Sequence, residues 1–226
     1  MSLGTPRVHH RTTTSTSLDA RALARAGAPH GTLVTANEQL DGRGRQGRRW
    51  YAPPGRALLC SLILRDPPAL LSLATGVAVA ELVGADALLK WPNDVLLDAR
   101  KVSGILVEGR PQEHWAILGV GINVAVAPDD LPQELRGSAG TLGLGPEAIE
   151  PTLERLLALL EDWLARPAPE ILGAWRARDA LAGRELSWSG GRGVGGGIDA
   201  RGRLLVQTEG GEQVLEAGEV HLLDAR

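Results

Sequence analysis

The sequence predicts an α/β (α+β) protein in which a sheet of apolar strands is flanked by helices and followed by a small β-rich tail. Three observations carry this. Apolar runs of strand length, led by ALLCSLILR from Ala57 and KVSGILVEG from Lys101, read as strands of a sheet. Longer segments with apolar residues at helical spacing lie between and after them. Beyond Arg184 the pattern turns to short alternating stretches separated by glycine.

In chain order, a polar start leads to Ser15, Thr16 and Ser17, which offer N-caps for a helix over LDARALARAGA, with Leu18, Ala22, Leu23 and Ala26 on one face. TLVTA, Thr32 to Ala36, is a short strand running into the loop GRGRQGRRW, and ALLCSLILR is the next strand. Pro67 and Pro68 then precede a helix over LLSLATGVAVAELVG that ends near Gly84. ALLKW, DVLLD and KVSGILVEG read as strands, with Asp98-Ala99-Arg100 as the tight connection between the second and third. HWAILGVGINVAV, His114 to Val126, is another strand with closely spaced glycines, and Asp129 to Pro146 is loop. Two helices follow, over PTLERLLALLEDWLARP and PEILGAWRARDALAG. RELSW, GGGIDARGRLLVQTE, EQVLEAG and EVHLLD complete a barrel-like tail.

Composition narrows the function. The 226 residues suffice for one substantial core, which Leu, Val, Ala and Trp must build because Phe is absent. A net charge of −3 disfavours bulk nucleic-acid binding and makes the basic loop a local feature. Cys60, the single cysteine, lies in an apolar run, which excludes an intrachain disulfide and points to a buried small hydrophobe. No stretch reads as a membrane span or signal peptide, so the expected location is the cytoplasm. The five histidines lack metal-binding spacing, so no tightly bound transition metal is expected. Of 24 basic residues only Lys90 and Lys101 are lysine, and they flank WPND, which suggests that a compact ammonium is required there.

The loop from Gly42 to Trp50 opens as G-x-G-x-x-G and holds four arginines. A dinucleotide-binding turn needs a helix after its third glycine, and Pro53-Pro54 forbids one. A nucleic-acid grip using Trp50 and Tyr51 is opposed by the overall charge. A solvated mobile loop explains the arginines but not the glycines among them, which bring backbone N–H groups and guanidinium forks together around an anion.

Four motifs in order, GRGRQGRRW at 42–50, KWPND at 90–94, KVSGILVE at 101–108 and GVGIN at 119–123, resemble those of the biotin protein ligase family. The resemblance implies a catalytic body over 10–180, similar in fold to class II aminoacyl-tRNA synthetases, and a small SH3-like C-terminal domain over 181–226. It implies ATP-dependent conversion of biotin to biotinyl-5′-AMP, then transfer to a lysine of a biotin carboxyl carrier protein or carboxylase domain, with Mg²⁺ as cofactor. Arg43, Arg45, Lys101 and Asp94 are the implied catalytic residues, and Asp94 either holds Mg²⁺ or orients the incoming amine. Biotin is expected against Ser15, Thr16, Ser17, Gln39, Gly42, Arg43, Gly44, Arg45, Lys101, Gly104 and Gly121, with Gly119 also allowing close backbone approach. Ser17 stands where the family has asparagine. The nucleotide is expected against Arg45, Arg48, Trp50, Lys90, Asn93 and Asn123; Lys90 has a second reading, an ion pair at a strand end. A short form without the N-terminal DNA-binding domain is expected, hence no operator DNA and no membrane partner, with a homodimer possible. The competing readings are a lipoate or octanoate transferase of related fold and a non-catalytic nucleic-acid-binding module.

Overall fold

The computed structural model describes residues 2–223, so Asp224, at the end of the last expected tail segment, lies outside the described residues. Seven strands form the main sheet: β1 (Arg7–Thr13), β2 (Leu33–Gln39), β3 (Ala57–Arg65), β4 (Leu88–Lys90), β5 (Asp94–Leu97), β6 (Arg100–Arg110) and β7 (Trp115–Asn123). Their spatial order is β1-β2-β3-β7-β6-β5-β4. Only β1 and β2 run parallel; the remaining pairs are antiparallel, so the sheet is mixed.

The apolar runs behave as their composition dictates. Successive residues of β3 point to opposite faces. Leu58, Cys60, Leu62 and Leu64 enter the principal core, while Ala57 and Leu59 join a second apolar cluster on the other side and Ile63 joins a third. Helix α2 (Leu71–Val83) is buried continuously from Leu73 to Ala80 because it lies between the sheet and two further helices, α3 (Ile149–Ala165) and α4 (Ala168–Arg176). Its Gly76 leaves room for Leu89 and Trp175, both almost wholly buried. Helix α1 (Thr16–Arg25) covers part of the opposite face with Ala20 and Ala24 against Val34, Ile63 and Ile117. That leaves the rest of this face, over β6 and β7, for the site.

Four expectations require correction. The polar start contains β1, whose alternation is masked because as an edge strand it exposes much of both faces. Helix α1 begins at Thr16, before Leu18; Ser15 is the N-cap position but its side chain makes no capping bond, and Gln39 Oε1 takes the Thr16 N–H at 2.8 Å instead. The last helix stops at Arg176, since the following chain pairs with β4: the Leu89 N–H donates to Arg178 O and the Ala180 N–H to Leu89 O. The loop before α3 contains three short 3₁₀ turns.

The tail is a five-stranded antiparallel sheet of β8 (Glu185–Trp188), β9 (Gly191–Ile198), β10 (Leu204–Thr208), β11 (Gly211–Leu215) and β12 (His221–Leu222), in the order β11-β10-β9-β8-β12. It docks on the main body through Leu186, Ile198, Leu204 and Val206, which belong to the same core as α2. Gly202 lies so close to Leu73 that an added Cβ would sit 2.3 Å from its Cδ1. No helix among the described residues is long and apolar enough to cross a membrane.

Burial pushes the Cys60 thiol up to about 12, with nearby Arg7 and a bond to Val120 O only partly opposing the desolvation. The folded value is raised, so this group's stabilising contribution is complete below the unfolded thiol value, about 8.5, and is lost as pH rises toward the folded one. Iodoacetamide at about pH 8.5 is expected to leave native Cys60 unmodified and to alkylate it in urea. Equal labelling in both conditions would show the thiol to be accessible.

Candidate active site

The exposed half of the sheet face has a floor without side chains. Gly104 on β6 and Gly121 on β7 are cross-strand partners, and Gly119 lies two residues earlier on the same face as Gly121. The indole of Trp50 rests on this floor: a Cβ added at Gly121 would lie 2.6 Å from its Cε2, and one at Gly104 2.9 Å from its Cζ3. A Cβ at Gly119 would lie 3.0 Å from Ser17 Oγ. Each glycine therefore admits a specific neighbour.

The arginine loop is a small closed hairpin. Arg43 and Arg49 form a β-bridge, the Gly44 N–H donates to Arg48 O at 2.7 Å, and the Trp50 N–H donates to Gly42 O at 2.8 Å. At its tip Arg45–Gly47 is a 3₁₀ turn with Gln46 and Gly47 at positive φ. Gly42 is required at the base, because a Cβ would stand 2.4 Å from Trp50 O.

This hairpin closes over a cavity of about 670 Å³. Seven basic side chains line it, Arg43, Arg45, Arg48, Arg49, Lys90, Lys101 and Arg184, against two acidic ones, Asp94 and Glu219. Such a balance attracts anions. Lys101 Nζ lies 2.7 Å from Asp94 Oδ1, a charge contact made without hydrogen-bond alignment, and 5.6 Å from the centre of the Trp50 ring. Arg45 donates to Asn93 Oδ1 at 3.3 Å; burial draws its guanidinium below the ordinary value, which Asp94 partly offsets. Arg48 pairs with Glu219 of the tail, Arg49 with Asp41, and Arg43 with Glu108, which also accepts from Arg21. Lys90 makes no ion pair among the described residues, although its register partner is Asp94.

Polar side chains gather where α1 meets β2 and β3. Thr16 donates its backbone N–H and its hydroxyl to Gln39 Oε1, and the hydroxyls of Thr16 and Ser17 both contact Ser61 Oγ. Ser15 Oγ is buried nearby in sequence without a partner and does not line the cavity. At the opposite end Asn123 donates to Gly140 O at 2.8 Å and leaves its buried Oδ1 unpartnered, while Asn93 donates to Ile105 O at 2.9 Å.

The structure thus gathers Thr16, Ser17, Gln39, Arg43, Gly44, Arg45, Arg48, Trp50, Lys90, Asn93, Asp94, Lys101, Gly104, Gly121 and Asn123 around one cavity. Gly42 serves the hairpin base, and Ser15 stands apart. Sequence reasoning missed Ser61, Leu131, Leu135, Arg184, Glu219 and His221, which also line it. Only Ser61 carried a readable signal, as the lone hydroxyl inside a strongly apolar strand. The residues do not fit a protein-held magnesium ion: the Asp94 carboxylate is paired with Lys101, and no cluster of three His, Cys, Asp or Glu side chains exists among the described residues.

The mixed sheet, its cationic hairpin and the small second sheet define an α/β protein with a deep site for anionic small molecules. The chain belongs to the biotin/lipoate A/B protein ligase family, whose model matches residues 8–123, and a biotin protein ligase C terminal domain matches residues 193–223. A biotin--[acetyl-CoA-carboxylase] ligase of Paracoccus denitrificans is 35% identical across 92% of this chain and 97% of its own length. The bifunctional ligase/repressor BirA of Bacillus subtilis is 32% identical across 97% of this chain and 75% of its own. Among solved structures, the biotin protein ligase from Aquifex aeolicus in complex with biotin and ATP aligns with a TM-score of 0.79 at 27% identity, covering 98% of this chain and all of that one.

Gly121→Ala is expected to unseat the Trp50 indole and loosen the hairpin. Tryptophan emission should shift to the red, and trypsin should cut faster after Arg45, Arg48 and Arg49. Unchanged emission and cleavage would mean that the glycine floor does not hold the loop.

Proposed function

We propose that this chain is an ATP-dependent biotin protein ligase that forms biotinyl-5′-AMP and passes the biotinyl group to a lysine of a biotin carboxyl carrier protein. The observation that carries the reading is the meeting of Arg45 and Lys101 over one glycine-floored cavity, with a buried polar cluster at its far end. The family membership and the relatives' named activities support it.

Adenylation requires two anions to approach. A carboxylate oxygen of biotin attacks the α-phosphorus of ATP, and the bond to the bridging oxygen breaks as pyrophosphate leaves. Repulsion is the main obstacle, and fixed cations and N–H donors offset it; one well-placed donor contributes about 3 kcal/mol. In our reading Lys101 takes the biotin carboxylate and Arg45 the α-phosphate, while Trp50 packs beside them over the glycine floor. Asn93 holds Arg45 by its Oδ1, and Asp94 holds Lys101 until substrate arrives. In the second step the carrier lysine attacks the carbonyl carbon of the mixed anhydride and AMP departs. The Thr16, Ser17 and Gln39 cluster is suited to the ureido ring, which needs donors and acceptors inside an otherwise apolar slot.

We also propose the division into a catalytic body over 10–180 and a tail over 181–226, supported by the placement of β8–β12 after Leu181. The edge of β1 is where a homodimer would pair.

Purified protein with ATP and magnesium is expected to release pyrophosphate with biotin and not with lipoate. Lys101→Ala and Arg45→Ala should each lower adenylate formation on the order of a hundredfold with unchanged thermal unfolding. Near-normal turnover in both variants would falsify the assignment of the cationic cluster, and lipoate-dependent release would favour the transferase reading.

A further inference from the structure

Ser61 sits in the middle of β3 with no exposed surface. A hydroxyl buried in so apolar a strand is costly unless bonded, and this one contacts Thr16 Oγ1 at 2.8 Å and Ser17 Oγ at 3.1 Å. Those distances alone leave the donors unassigned, but the neighbours settle them. The Thr16 backbone N–H donates to Gln39 Oε1 at 2.8 Å, so that atom is the amide oxygen. The Thr16 hydroxyl donates to the same oxygen at 3.0 Å and thereby uses its only proton. Ser61 must then donate to Thr16, and Ser17 must donate to Ser61.

The chain of bonds has one direction, from Ser17 through Ser61 and Thr16 to Gln39, and both ends line the cavity. Ser17 Oγ, its proton already committed, can offer only lone pairs to a ligand. Gln39, its carbonyl committed, can offer only its Nε2 donors. The two groups therefore differ in sign: an acceptor on one side, donors on the other. A cyclic urea is the complement, with ring N–H donors beside a carbonyl acceptor, whereas a fatty acyl chain or a dithiolane ring has neither.

We infer that Ser61 is a positioning residue that fixes this polarity and so tunes the site to a cyclic urea, acting through Ser17 and Gln39. The inference rests on the proposed biotin reading. It also accounts for Ser17 in place of asparagine: an amide supplies donor and acceptor by itself, and here a hydroxyl chain ordered by Ser61 divides those tasks between two side chains.

The test is pyrophosphate release by the full chain with biotin and ATP, comparing the unsubstituted protein with Ser61→Ala and Ser61→Cys. Losing one ordered hydrogen bond to the ligand should raise KM for biotin about tenfold. KM for ATP, kcat and the thermal midpoint should stay unchanged. Ser61→Cys keeps the shape but bonds weakly, so it should resemble Ser61→Ala. An unchanged biotin KM in Ser61→Ala, recovery in Ser61→Cys, or equal losses toward biotin and ATP would each overturn the inference while the ligase reading stands. Absence of biotin-dependent release in the unsubstituted protein would overturn both.

Discussion

The arrangement of the site depends on two residues that lack side chains. Gly104 and Gly121 face each other across β6 and β7, and only bare backbone lets the Trp50 indole lie against the sheet. Trp50 closes the hairpin by its backbone bond to Gly42, so seating the ring fixes the base of the loop. With the base fixed, Arg45 reaches Asn93 and Arg48 reaches Glu219. Even a Cβ at position 121 acts on all of these at once, because the nearest atoms it would meet belong to the indole.

The same geometry explains how so many cations coexist. Five hairpin or sheet cations have an acidic or amide partner: Lys101 with Asp94, Arg43 with Glu108, Arg48 with Glu219, Arg49 with Asp41, and Arg45 with Asn93. These contacts are partly solvated, and such pairs are individually weak. An arriving polyanion can replace them at little cost, because it brings more charge and more acceptor oxygens than one carboxylate. A lysine suits position 101 for a related reason. Its compact ammonium can move from Asp94 to a ligand oxygen by rotation about its stem, whereas a guanidinium fork would need a planar partner.

Much of this was legible in the sequence. The apolar strands, the three main helices after Pro68, the four motifs and the tail strands followed from periodicity, turn residues and motif order. Three things escaped. β1 read only as a polar start because an edge strand that parallels β2 buries too little to show a pattern. The hairpin fold of the arginine loop depends on the glycine floor, supplied by residues more than fifty positions away. Ser61 was hidden inside its own strand, since apolar periodicity registers a single serine as tolerable and says nothing of the partners that make it so.

The tail illustrates how far a local motif can extend. In KWPND, Asn93 and Asp94 face the cavity, but Trp91 is buried and donates its indole N–H at 3.0 Å to Gly202 O in the turn joining β9 to β10. Gly202 in turn fits against Leu73 of α2. The segment that presents the site's polar residues therefore also clamps the tail to the core. Because Glu219, carried by that tail, holds Arg48, the orientation of one hairpin arginine depends on the docking of a sheet formed entirely by later residues. The second sheet is accordingly a wall of the site, and a change that loosens its contact with Trp91 or Leu73 should disturb charge placement above β6 and β7 without altering any residue there.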